Sequence, residues 1–167
     1  MKGRIPRSIP AWLVPAMNRR SLLRVLLLGL AAWLFFSRVL LPLRIDGRSM
    51  EPTFGDGSWA VCNRLAYLFA QPRRFDVVAI RMAGDRVVLL KRIVALAGET
   101  VMFRKGVLYV DGRPLAEPHV QGPCNWNLAP RTVAPGRLYV VGDNRAVPMQ
   151  MHDFGQVDRQ RILGKVW

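Results

Sequence analysis

The first strong hydrophobic signal in the chain is continuous rather than periodic. Residues 25–36 (VLLLGLAAWLFF) carry no charge, and together with 39–43 they make a stretch of 19 residues broken only by Ser37 and Arg38. As a helix it would be roughly 28 Å long at about 1.5 Å per residue, close to the ~30 Å hydrocarbon core of a bilayer. It is apolar all round, where a core helix of a soluble domain shows a single apolar stripe. Arg38 stands near enough to one end to snorkel to the interface. Beyond residue 43 the pattern changes to short runs rich in Val, Ile and Leu, bounded by Gly, Pro and Asp. These predict strands over 59–61, 76–82, 86–95, 100–103, 107–110, 137–141 and 161–167.

No amphipathic helix pattern intervenes, so the expected fold class is mostly β, a single N-terminal transmembrane helix followed by a compact antiparallel β domain. The alternating run Val107-Leu108-Tyr109-Val110 followed by Asp111-Gly112 predicts a tight hairpin. Residues 122–136 (GPCNWNLAPRTVAPG), with three prolines and two asparagines, predict a surface loop. There is no internal repeat. The expected layout is a basic tail over 1–20, an anchor over 21–43 and one β-rich domain over 44–167.

Two other readings of the apolar run compete with an anchor. A cleaved signal peptide needs small residues at its cut, where this chain has Ser37-Arg38-Val39-Leu40. A mitochondrial presequence suits the acid-free basic segment Lys2, Arg4, Arg7, Arg19, Arg20 and Arg24, but Pro6, Pro10 and Pro15 break a long amphipathic helix there. For an anchor, those six charges place the N-terminus in the cytoplasm and everything after Leu43 on the far side. Half of the net charge of +14 belongs to residues 1–43, which hold seven basic residues and no acid. The remaining excess could serve nucleic acid, but no helix-turn-helix, zinc spacing or interleaved aromatic-basic motif is present to read bases. A basic surface facing anionic lipid is the expected meaning.

The candidate chemistry begins at Ser49, in Gly47-Arg48-Ser49-Met50-Glu51-Pro52-Thr53. A serine hydroxyl needs a partner to take its proton, and the chain holds only two histidines. Lys91, in Leu89-Leu90-Lys91-Arg92-Ile93-Val94, can be that partner if its amine is neutral. A free lysine with a pKa of about 10.4 is unprotonated roughly once in a thousand near neutrality. Burial lowers that value by penalising the charged form. Lys91 sits in the most apolar run of the domain, and strand alternation puts it on the face of Leu89 and Ile93, with Arg92 on the other. On pattern alone the plainer readings come first: Lys91 ends a strand in solvent, and Ser49 is a turn residue or helix cap.

Four segments together change that balance: Gly47-x-Ser49-Met50-x-Pro52-Thr53, Arg74-x-Asp76-Val77-Val78, Lys91-Arg92-Ile93-Val94-Ala95-Leu96-Ala97-Gly98-Glu99 and Gly142-Asp143-Asn144-Arg145. Their order and approximate spacing resemble the boxes of type I signal peptidases, over residues 47–145. The resemblance implies a membrane-anchored, mostly β serine protease with a Ser/Lys dyad, which cuts after small residues to release exported proteins. It implies Ser49 as nucleophile and Lys91 as general base. The backbone N–H of Ser49 is the expected oxyanion donor. Gly47 stands where some members carry a second donor, a serine, so glycine is expected to serve by close backbone approach. Met50, Val77, Val78 and Ile80 either line the substrate groove or are plain core.

The last box departs from the family pattern. After Gly-Asp-Asn-Arg the family continues to a serine and then Asp-Ser-Arg, whereas here an ungapped match puts Pro148, Gln150 and His152 at those positions. Either activity is weakened or the support is rebuilt, with His152 and Asp153 bracing the site and Asp143 and Arg145 as a structural pair. His119 is expected to be structural. No cluster has metal-ligand spacing, so neither metal nor other cofactor is expected. Cys62 and Cys124 could pair in an oxidising compartment, or Cys62 could be a buried thiol.

The resulting expectation is an endopeptidase of the bacterial inner membrane, with its domain on the exocytoplasmic side. Its partners would be signal peptides of preproteins, the lipid bilayer and the export machinery, not nucleic acid. A specialised processing peptidase of conjugation or mitochondrial inner-membrane type, and a silent homologue that binds signal peptides without cutting, are the alternatives.

Overall fold

The computed structural model of the chain describes residues 18–82 and 88–167. Most of the expected basic tail, residues 1–17, and the start of the run predicted from residue 86 lie outside them. The chain divides into two compact units, Met1–Ser37 and Arg38–Trp167. The apolar run forms helix α1 (Arg19–Val39). Asn18 caps it by accepting a hydrogen bond from the Ser21 N–H at 2.8 Å. None of its residues is buried, and its length and composition suit a membrane crossing.

The helix ends four residues before the expected boundary. Strand β1 (Leu40–Arg44) follows at once and pairs antiparallel with β2 (Trp59–Asn63). Pro42 explains the change: it lacks a donor for a continuing helix and biases Leu41 to extended backbone. As a sheet edge, β1 tolerates the proline.

The remaining described strands are β3 (Val77–Arg81), β4 (Val88–Ala95), β5 (Thr100–Arg104), β6 (Val107–Val110), β7 (Arg113–Pro114), β8 (Leu128–Thr132), β9 (Arg137–Val141), β10 (Gly155–Asp158) and β11 (Ile162–Val166). They form a sheet of order β1-β2-β11-β3-β4-β9-β10 and a second of order β7-β6-β5-β8. All described pairings are antiparallel. The expected hairpin joins β6 to β7, with Asp111 and Gly112 at φ 49° and 75°, the left-handed pair that a two-residue turn of this hand requires. The segment expected as a loop over 122–136 contains β8. Pro130 hid it, and the edge position beside β5 again accommodates the proline.

The core lies where the two sheets meet and on both faces of β3 and β4. Val94, Ala95, Tyr139 and Val141 of the larger sheet pack with Val101, Phe103, Leu108 and Val110 of the smaller one and with Trp126. One face of the larger sheet gathers Ile45, Met50, Val77, Ala79 and Leu90; the opposite face gathers Val78, Ile80, Ile93, Leu138 and Val140. Both cysteines are free thiols, and burial pushes Cys62 up to about 11.

Candidate active site

Ser49 lies in the turn after β1, and Lys91 lies in the middle of β4, 42 residues on. The fold brings them together: the Lys91 Nζ donates to Ser49 Oγ at 2.8 Å. Strand pairing sets Lys91 opposite Val78 and Leu89 opposite Ile80, on the face that holds Ile93. The amine is thus enclosed by aliphatic side chains, and Lys91 is 3% exposed. Desolvation holds its pKa below the ordinary lysine value, opposed by the negative charges of Asp153 and Asp143. The pair can therefore pass a proton: a neutral amine accepts from the hydroxyl and leaves the oxygen free to attack.

The turn bearing Ser49 is fixed from two sides. Gly47 N donates to Asp56 Oδ1 at 2.8 Å, with Gly47 at φ 98°. A Cβ there would meet no protein atom within 4 Å, and the positive φ is a conformation that favours glycine. Within the protein a close approach occurs at Gly142, where a Cβ would lie 2.3 Å from the Ser49 carbonyl oxygen. That carbonyl accepts from Asn144 N at 3.0 Å, and Asn144 Nδ2 donates to the Arg48 carbonyl at 3.0 Å.

Asp143 and Arg145 do not pair with each other. Asp143 takes a bidentate guanidinium from Arg92, at 2.8 and 2.6 Å, and a hydrogen bond from Thr53 at 2.5 Å. Arg145 donates to both oxygens of Glu117 and to the Gly142 carbonyl, with its guanidinium over the rings of Phe103 and Trp126. The two side chains leave a tight turn in different directions, so each finds its own partner. Thr53, Arg92 and Asp143 tie three of the four boxes into one network whose Arg92–Asp143 bonds are buried. Arg92 was visible as the neighbour of Lys91, and strand alternation already assigned it to the opposite face.

His152 is buried, and its Nε2 stands 2.7 Å from the Asn144 carbonyl, which makes it the N–H donor of the pair. Burial depresses its pKa, so the ring is neutral as a brace for the Gly142–Arg145 turn. Its ring packs edge-on to Trp126. Asp153 is exposed and lines a cleft with Lys91. His119 packs on Phe75 beside Asp143, its pKa lowered by burial and then by Arg92.

The groove residues divide. Gly47, Ser49, Met50 and Lys91 line a small groove of about 70 Å³ with Leu43, Ile45 and Leu90. Ile80 lines a larger cleft on the Lys91 face. Val77 and Val78 are not groove residues but core, because β3 is flanked by β11 and β4 and covered on both faces. Among the described residues no group of three or more His, Cys, Asp or Glu could hold a metal ion.

An antiparallel β domain that sets a serine hydroxyl against a desolvated lysine amine holds the parts a serine hydrolase needs. The comparisons with known proteins specify it. The family described as "Signal peptidase, peptidase S26" matches residues 18–167, so the chain belongs to the signal peptidase family and is a signal peptidase I-like hydrolase. The chain is similar to signal peptidase I V of Bacillus subtilis, 32% identical over 142 residues, 77% of this chain and 84% of the relative. A probable signal peptidase I-1 of Synechocystis sp. is 32% identical over 131 residues, covering 74% and 67%. A solved signal peptidase I of Enterococcus faecalis superposes with a TM-score of 0.47 at 28% identity, covering 57% of this chain and 97% of that one.

Proposed function

We propose that this chain is a membrane-bound endopeptidase that uses a Ser49/Lys91 dyad to cleave signal peptides after small residues. The observation that carries the reading is the 2.8 Å contact between a buried lysine amine and the serine hydroxyl. In the reaction, neutral Lys91 takes the Ser49 proton as Oγ attacks the scissile carbonyl. The Ser49 backbone N–H donates to the developing oxyanion. The lysine ammonium then returns its proton to the departing amine, leaving an acyl-enzyme that water, deprotonated by the same amine, hydrolyses. The modest groove beside Ser49 favours small side chains next to the cut. Helix α1 is the anchor, and the basic residues before it favour a cytoplasmic N-terminus with the domain on the far side of the inner membrane, against the bilayer and beside the export machinery.

The test is cleavage of a preprotein by the detergent-solubilised full chain and its Ser49→Ala and Lys91→Ala variants. The parent cleaves and both variants lose activity. Cleavage untouched by either substitution removes the dyad, and a parent inert across varied preproteins leaves a binding homologue.

A further inference from the structure

Strand β4 is hydrogen-bonded to β3 from Val88 to Arg92. On its other side the ladder with β9 starts only at Arg92, opposite Val141. Among the described residues no strand pairs with 88–91 on that side, and the same residues line the groove beside Ser49. An extended peptide laid along them sends alternate side chains to opposite faces of the sheet. One face is that of Leu90, where Ile45 and Met50 close the small groove. The other is the face of Leu89 and Lys91, where a cleft of about 410 Å³ opens. Where the residue next to the cut enters the small groove that Ser49 lines, the third residue before the cut follows it there and the second points into the cleft.

That cleft is charged. Arg137 and Asp158 are register partners across β9 and β10, a cross-strand pair of opposite charge. With Arg161 they lie at the far end of β10, about 10 Å along the strand from Gly155 at ~3.3 Å per residue. Asp153 stands at the near end, exposed, with no hydrogen bond or ion pair to another described residue, and its charge reaches Lys91. A long basic side chain entering beside Leu89 meets Asp153 first.

We propose that this cleft is a specificity subsite that reads the second residue before the scissile bond and prefers a basic side chain there, through Asp153. This rests on the peptidase reading above. A bound cation also offsets the negative charge that favours the protonated form of Lys91, so the preferred substrate helps to keep the base neutral.

The test uses peptides spanning one cleavage site that differ only in Lys, Gln or Glu at the second position before the cut, with the detergent-solubilised full chain. Expected is a kcat/KM order of Lys, then Gln, then Glu, with about tenfold between the extremes, the scale of one charge-assisted contact. In Asp153→Asn the spread shrinks to about twofold, and in Asp153→Lys the order inverts. Lysine moved to the third position before the cut, on the opposite face, brings no gain. Equal rates for all three peptides, the same preference in Asp153→Asn, or a lysine effect confined to the first residue after the cut overturns the subsite while leaving the peptidase intact. Failure of the parent to cleave any peptide or preprotein overturns the peptidase reading itself, and the subsite with it.

Discussion

Replacing Lys91 by methionine separates what the amine does for chemistry from what it costs the fold. Methionine keeps the length and approximate volume of the side chain, so the enclosure by Val78, Ile80 and Leu89 remains filled. Loss of a general base lowers kcat about 10²–10⁴-fold. Stability moves the other way. Lys91 is 3% exposed, and burial holds its pKa below the ordinary 10.5. Below the folded value both folded and unfolded chains carry the proton, and the folded one bears a desolvated ammonium at a cost of about 1.4 kcal/mol per unit of depression. Between the folded value and 10.5 the unfolded chain binds more protons, so the stability of the parent rises with pH across that window. The methionine variant has no such slope. It forfeits only the bond to Ser49, about 1 kcal/mol. Thermal melts of the two proteins between pH 6 and 10 should therefore show the variant ahead at low pH and its advantage closing as pH rises. Each kcal/mol corresponds to roughly 3–6 °C in a domain of this size. A variant that retains more than about a tenth of parental kcat, or whose melting point trails the parent by a constant margin at every pH, refutes the assignment of Lys91 as a desolvated base.

Activity of the parent should rise with pH as Lys91 deprotonates, and Asp153→Asn should move that limb to lower pH, because the carboxylate favours the charged amine; a pH series of kcat/KM measures both. Gly142→Ala puts a methyl 2.3 Å from the Ser49 carbonyl and should cost about 10²-fold in kcat through displaced geometry, read in the same cleavage assay. Arg92→Met leaves the buried Asp143 carboxylate with a hydrogen bond from Thr53 and the His119 ring at 3.7 Å but without its guanidinium, and should lower unfolding stability by about 3–5 kcal/mol in denaturant titrations. Gly47→Ala forces a side chain into φ 98° and should destabilise by about 1–2 kcal/mol, with no steric clash to relax.

What could be read from the chain follows the range over which each signal acts. Strands β2 to β6, β9 and β11 declared themselves because their apolar runs are local and bounded by turn residues, and the Asp111-Gly112 hairpin is fixed by two adjacent dihedral requirements. Strands β1 and β8 escaped because each contains a proline, whose local preference argues against a ladder. Only the position at a sheet edge, a property of the whole topology, makes that proline acceptable. The end of the anchor failed for a related reason. Leu40, Leu41 and Leu43 are as apolar as the helix before them, and their apolar surface serves the β domain, where Leu41 and Leu43 pack on Ile45 and Met50.

The pairing of Ser49 with Lys91 was legible only through the four boxes taken together, since on pattern alone Lys91 reads as the end of a strand in solvent. A lysine in the middle of an apolar strand is costly to bury, and an unpaired one must be neutral or repaid by partners. Its direct neighbour Arg92 shows the contrasting solution, since one residue along the strand the other face supplies Asp143, Thr53 and the Phe75 carbonyl to its guanidinium. Two adjacent cations thus part company because strand alternation sends them to environments of opposite polarity. The partners of Arg92 and Arg145 come from segments dozens of residues away, so no local pattern could pair them. The altered last box shows the complementary limit. His152 takes no part in contact with Lys91; it fastens the Asn144 carbonyl, and Asn144 fastens Ser49. Ser49 is thus held at backbone groups, and from the altered box it is the His152 side chain that reaches them, while Pro148 and Gln150 stand where the family pattern has other side chains.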